Sequence, residues 1–244
     1  MSQDAAVQRQ PVRRFRPDPG APPPPDDVWP VTVPAVAQLL RDGLALTPGA
    51  TVLVGENGSG KSTVLEVLAA ALGLNAEGGS AGARHATRRS EPGSLDLIVE
   101  RSPGADRWAY FLRDETLHGL YSYLEENPHP RRAEPTFHEM SHGEGFLSLL
   151  GSRVTSGGFY LLDEPDAALS FTGTLSLVVH LRELLSHGAQ VLIATHSPVL
   201  AALPGARLLE VGEWGLREAE WEELELTASW RQFLGDPQSF LRYL

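Results

Sequence analysis

The 244-residue chain contains no cysteine, which removes disulfides, thiolate metal sites and cysteine nucleophiles together. Lysine is almost as scarce: Lys61 is the only one, and arginine supplies the rest of the positive charge. No run approaches the roughly 20 apolar residues that cross a bilayer. The first residues also lack the apolar centre of a secretory signal, so the expected compartment is the cytoplasm. A formal net charge of −11 argues against general affinity for nucleic acid, because neutralising phosphates supplies most of such binding. Arg84, Arg88 and Arg89 make a modest basic cluster, read either as a DNA contact or as an ordinary solvated loop.

What is present is 42% hydrophobic sequence, enough for one large domain. Residues 1–27 are proline-rich, ending in the run Pro22 to Pro25, and are expected to form a flexible tail. Residues 28–244 are expected to form the folded domain. Ala50 to Val54 is a short apolar run ending in a glycine-rich turn, the pattern of a buried parallel strand. Val64, Leu65, Leu68 and Leu72 place a helical stripe after it. The spacing predicts a hairpin from residues 95–100 and 107–112, an insertion near 116–135, and then a strand from Phe159 to Leu162. A helix over 172–187 and strands over 191–194 and 207–211 follow. Strands alternating with helices of this length imply an α/β fold with a mostly parallel core sheet. The amphipathic end, with Trp230, Phe233, Leu234, Phe240 and Leu241, reads as a docking helix pair.

Gly55-Glu56-Asn57-Gly58-Ser59-Gly60-Lys61-Ser62-Thr63 follows the apolar strand and opens the helix, which is the P-loop pattern. Its glycines let successive N–H groups turn inward on a β-phosphate, aided by the positive end of the helix. Lys61 is expected to bridge the β- and γ-phosphates, and Ser62 to bind Mg²⁺. Phe159 to Glu164 is an apolar strand ending in two acids. Asp163 then serves the Mg²⁺ shell and Glu164 polarises the attacking water. Taken alone, two such acids are also common in helix-capping loops.

The motifs in order resemble the ATP-binding-cassette (ABC) superfamily. Pro165-Asp166-Ala167-Ala168-Leu169-Ser170 is similar to its D-loop, and His196 in Ala194-Thr195-His196-Ser197-Pro198 looks like its switch histidine. The resemblance implies that His196 bonds the γ-phosphate and orients water with Glu164. Ser141-His142-Gly143-Glu144-Gly145 resembles the family signature. Physically, Ser141 and Glu144 also form a capping box for the helix over 146–150. In cassette dimers Ser141, Gly143 and Glu144 would address the nucleotide of the opposite subunit. The implied fold is a P-loop head with a small antiparallel β sub-lobe and a short helical sub-lobe over about 114–152. ATP and Mg²⁺ are the implied cofactors, and the implied assembly is an ATP-dependent homodimer.

The family's Q-loop glutamine has no counterpart, since no glutamine lies between Lys61 and Gln190. Glu115, with Asp114 second, is the candidate oxygen ligand in its place, or else an ordinary capping acid. Trp29 and Phe15 are the candidates for stacking on adenine, with burial of Trp29 in the first strand as the alternative. The Ser-His-Gly-Glu form is closer to chromosome-maintenance and double-strand-break-repair ATPases than to transporters. About 25 residues between Glu115 and Ser141 leave no room for their coiled arm. From about Trp29 onward the chain is similar to small stand-alone ATPases of the superfamily. Three roles remain open: a hydrolase that remodels a partner, a slow ATP-gated interaction switch, and the ATP-binding subunit of a transporter with a separate membrane partner.

Overall fold

The computed structural model describes residues 9–76, 78–80, 95–114, 142–153 and 157–242. Two sheets organise them. The larger takes the order β10-β9-β3-β8-β7-β6-β4. Its strands are β3 (Ala50–Val54), β4 (Gly79–Ser80), β6 (Ala109–Arg113), β7 (Phe159–Asp163), β8 (Gln190–Thr195), β9 (Arg207–Gly212) and β10 (Gly215–Ala219). The five from β9 to β6 run parallel, and β10 and β4 close the two edges antiparallel. Every residue of β3, β7 and β8 is buried, as their unbroken apolar runs require of strands covered on both faces.

Successive side chains alternate between two cores. Val52, Val54, Tyr160, Leu162 and Ile193 pack on one face with helices α3 (His142–Arg153), α4 (Phe171–Ser186) and α5 (Pro198–Ala201). Leu53, Phe159, Leu161 and Leu192 pack on the other with α1 (Pro34–Asp42) and α2 (Lys61–Ala71). The helix expected over 146–150 is therefore the middle of α3. Most of the expected helical sub-lobe, and Arg84, Arg88 and Arg89, lie outside the described residues.

Three expectations need correction. The first is the tail over 1–27, because Arg14–Pro17 forms strand β1. β1 is the central strand of an antiparallel sheet, between β2 (Leu44–Ala45) and β5 (Leu97–Glu100). Val12 and Phe15 are fully buried, with the Phe15 ring 6.1 Å from that of Phe159. A buried side chain distant in sequence supplies the missing anchor. Gln190 accepts from the Val12 amide at 2.9 Å and donates to the Val12 and Thr47 carbonyls at 2.8 and 3.0 Å. Gln190→Ala strands these buried backbone groups, so it is expected to cost about 2 kcal/mol, read as a lower denaturant midpoint.

The second correction concerns the hairpin over 95–112. β5 joins β1, whereas β6 lies parallel to β7 in the large sheet. The difference is one of burial: Ala109 to Leu112 are all buried, as a central strand must be, while β5 is only half-buried throughout. The β sub-lobe exists, but β1 and β2 complete it. Third, Trp29 sits exposed in a turn instead of in a strand, and the buried Phe15 offers no free face to a base. The C-terminal pair, α6 (Glu225–Gly235) and α7 (Gln238–Leu241), docks on the core by its first turn, and Arg231 lies over the Trp221 ring at 5.0 Å. In that first turn Thr227 is buried and Leu226 packs on the core. Trp230, Phe233, Leu234, Phe240 and Leu241 remain exposed.

Candidate nucleotide site

The carboxyl ends of β3, β7 and β8 open on one edge of the sheet, and the loops that follow them carry the expected site residues. After β3 the chain turns through residues 55–60 into α2. A Cβ on Gly55 would stand 2.5 Å from the Val211 carbonyl oxygen. Gly60 has φ +100°, and a Cβ there would stand 2.4 Å from Val33. Only glycine satisfies both positions. The first N–H groups of a helix have no intrahelical acceptor, so the start of α2 presents donors and a partial positive charge to this loop.

Lys61 is 4% exposed and reaches back over the loop. Its Nζ donates to the Gly55 and Glu56 carbonyl oxygens at 2.8 and 3.0 Å and lies 3.5 Å from Glu164 Oε1. Ser62 Oγ donates to Asp163 Oδ1 at 2.9 Å, which puts two hard oxygen ligands side by side. No group of three or more His, Cys, Asp or Glu side chains able to hold a metal occurs among the described residues. This donor set fits Mg²⁺, which takes one or two protein oxygens and completes its shell with phosphate and water.

Glu164 is the one non-glycine residue with positive φ among those described, at 49°. That conformation costs an L-residue about 1 kcal/mol, and neighbouring contacts hold it. The Glu164 amide donates to the Ala194 carbonyl at 2.9 Å. Its Oε2 lies 2.8 Å from His196 Nδ1 and accepts from the His196 amide at 3.3 Å. Lys61 at the start of α2 and Glu164 and His196 in the loops after β7 and β8 thus form one connected group.

The loop over 165–170 is tied to the same edge. Thr195 Oγ1 donates to Asp166 Oδ1 at 2.8 Å and accepts from the Ser197 amide at 3.0 Å. Gly143, in the first turn of α3, approaches this loop so closely that a Cβ there would meet the Ala168 carbonyl at 3.2 Å. Ser141 and Glu115 lie outside the described residues, as does the side chain of Glu144. Asp114 borders the site, its amide donating to the Asp163 carbonyl at 3.3 Å.

Sequence reasoning assigned no role to three further features: Arg113, the bond between Asp166 and Thr195 of the two motif segments, and an aromatic wall beside the loop. Arg113 closes β6 opposite Asp163, and its only sequence signal is a charge at the end of a buried apolar run. The wall belongs to a cavity of about 810 Å³ lined by Glu56, Asn57, His196, Trp214 and Trp230 among others.

Two windows of the chain match known families. Residues 41–102 match one described as an AAA domain. Residues 136–202 match an AAA domain described as putative AbiEii toxin, type IV toxin–antitoxin system. The first window contains the glycine loop, and the second contains Asp163, Glu164 and His196. A putative ABC transporter ATP-binding protein of Streptomyces coelicolor is 30% identical over 203 residues, 73% of this chain and 34% of that protein. The cytochrome c biogenesis ATP-binding export protein CcmA of Paramagnetospirillum magneticum is 29% identical over 70% of this chain and 84% of its own length.

The chain belongs to the ABC superfamily of ATPases. It spans about a third of the length of the Streptomyces relative. Among solved structures, this ABC ATPase is similar to a putative metal-chelate type ABC transporter in an inward-facing conformation. The TM-score is 0.48 at 19% identity, covering 78% of this chain and 82% of the other.

Proposed function

We propose that this ABC ATPase binds Mg-ATP and hydrolyses it to ADP and phosphate between two copies of itself arranged head to tail. The observation that carries the reading is the convergence of Lys61, Glu164 and His196 beside the Ser62–Asp163 pair, at the mouth of the loop over 55–60. The loop amides and Lys61 would hold the phosphates. Ser62 and Asp163 would hold Mg²⁺, which supplies charge neutralisation on the phosphate oxygens when bound. Glu164 then accepts a proton from the attacking water, while His196, already at 2.8 Å from Glu164, orients it. Ser141, Gly143 and Glu144 would close on the nucleotide held by the other copy. Glu115, with Asp114 second, would add an oxygen ligand to the Mg²⁺. The compartment proposed is the cytoplasm, where ATP is available.

A second reading is an ATP-binding subunit that serves a separate membrane protein. The chain's match to 84% of the export protein CcmA favours it, and no helix of the described residues is long and apolar enough to cross a membrane. Solution mass tests the homodimer of the first reading. Light scattering on Glu164→Gln is expected to show the mass double on addition of Mg-ATP. A second change, Ser141→Arg, is expected to keep the protein monomeric. A mass indifferent to bound nucleotide would eliminate the homodimer and leave the subunit reading.

A further inference from the structure

We propose that Arg113 is the positioning residue for Asp163, the carboxylate that would hold Mg²⁺; the inference rests on the Mg-ATP reading above. Strands β6 and β7 run parallel in register, so Arg113 and Asp163 end together at the open edge of the sheet. The Arg113 side chain is 11% exposed and spans three elements. Its Nη1 lies 2.7 Å from Glu66 Oε1 and donates to the Ala76 carbonyl at 3.2 Å, while Nε lies 3.4 Å from Asp163 Oδ2. Glu66 stands one turn beyond Ser62 on α2, and Ser62 bonds the other Asp163 oxygen at 2.9 Å. Ser62, Asp163, Arg113 and Glu66 therefore close a ring that begins and ends on the helix following the phosphate loop.

The ring divides the two carboxylate oxygens of Asp163 between two tasks. Oδ2 faces the guanidinium, and Oδ1 stays turned to the Ser62 hydroxyl, where a metal ion would be shared. A cation beside a metal-binding carboxylate opposes metal binding by simple charge repulsion. Its presence here is understandable because Glu66, at shorter range, offsets the guanidinium charge. Glu66 thereby anchors the guanidinium that faces Asp163 Oδ2. Without Arg113, the buried Asp163 and the half-buried Glu66 on facing elements would lose the cation between them. Lysine is not expected to substitute, because an ammonium bonded to Glu66 and Ala76 as Nη1 is leaves no second nitrogen to face Asp163 as Nε does.

Outer partners of metal ligands change metal affinity by about 10- to 100-fold when removed. The test is to titrate a fluorescent ATP analogue into wild type, Arg113→Met and Arg113→Lys, in Mg²⁺ and in EDTA. Both variants are expected to keep the EDTA affinity within about twofold and to lose about tenfold of the affinity that Mg²⁺ adds. Equal losses in Mg²⁺ and EDTA would make the role purely structural and overturn the proposal. So would an unchanged Mg²⁺ gain, or full rescue by lysine. Should both variants fail to fold, Glu66→Gln decides: it keeps the guanidinium but loosens its anchor. About threefold less Mg²⁺ gain is expected there, and no change would overturn the proposal. A wild-type protein that gains nothing from Mg²⁺ would instead refute the underlying nucleotide reading, so the two failures are distinct.

Discussion

Replacing Glu164 with glutamine is expected to slow ATP turnover by about a thousandfold, the range of a lost general base, while Mg-ATP affinity changes by less than about threefold. The affinity is spared because the phosphate-facing donors, the loop amides and Lys61, come from residues other than Glu164. The variant also relieves a constraint. Glu164 Oε1 lies 3.5 Å from Lys61 Nζ, and Oε2 lies 2.8 Å from His196 Nδ1. Its carboxylate thus engages two of the groups that ATP needs. Glutamine keeps the shape and the hydrogen bond to the His196 amide but loses the charge that accepts a proton. Phosphate release under single-turnover conditions, paired with a binding titration, separates the two effects. Loss of affinity in proportion to rate would mean that Glu164 binds nucleotide and does not activate water.

The parts of the site that were legible in sequence are those whose chemistry is local. The loop over 55–63 is contiguous, its glycines are demanded by backbone geometry, and the strand before it and helix after it carry clear periodicities. Asp163 and Glu164 were legible for the same reason, as polar residues ending a buried run. What sequence concealed depends on pairing between distant segments. β1 lies in a proline-rich stretch and folds because the Gln190 side chain bonds the Val12 backbone, 178 positions apart. β5 and β6 look like a hairpin because they are adjacent, yet a strand apolar on both faces seeks the middle of a parallel sheet. Arg113 and Glu66 belong to no motif, and only the register of β6 against β7 joins them to Asp163. The C-terminal aromatics are helical as their spacing suggests, but Phe233 meets Phe240 at 5.8 Å within the pair instead of entering the core.

Lys61→Ala is expected to weaken ATP binding by at least about a hundredfold, close to 3 kcal/mol for lost charge-assisted bonds. The Lys61 ammonium is held over the loop by the Gly55 and Glu56 carbonyls at 2.8 and 3.0 Å and is only 4% exposed. It both shapes the loop and stands ready for phosphate oxygens. Arginine is not expected to rescue the loss, although it replaces lysine everywhere else in this chain. The site around Gly55 and Gly60 has no slack for a planar fork, as even an added methyl would collide with Val211 and Val33. The single lysine also provides a direct reading of occupancy. An amine-acylating reagent can modify only Lys61 and the α-amino group, so mass spectrometry of the peptide carrying Lys61 reports that side chain alone. ATP is expected to protect Lys61 and leave the α-amino group reactive. Provided that Lys61 acylates measurably without ATP, equal labelling at saturating ATP would show that the nucleotide does not reach this ammonium and would remove Lys61 from the site.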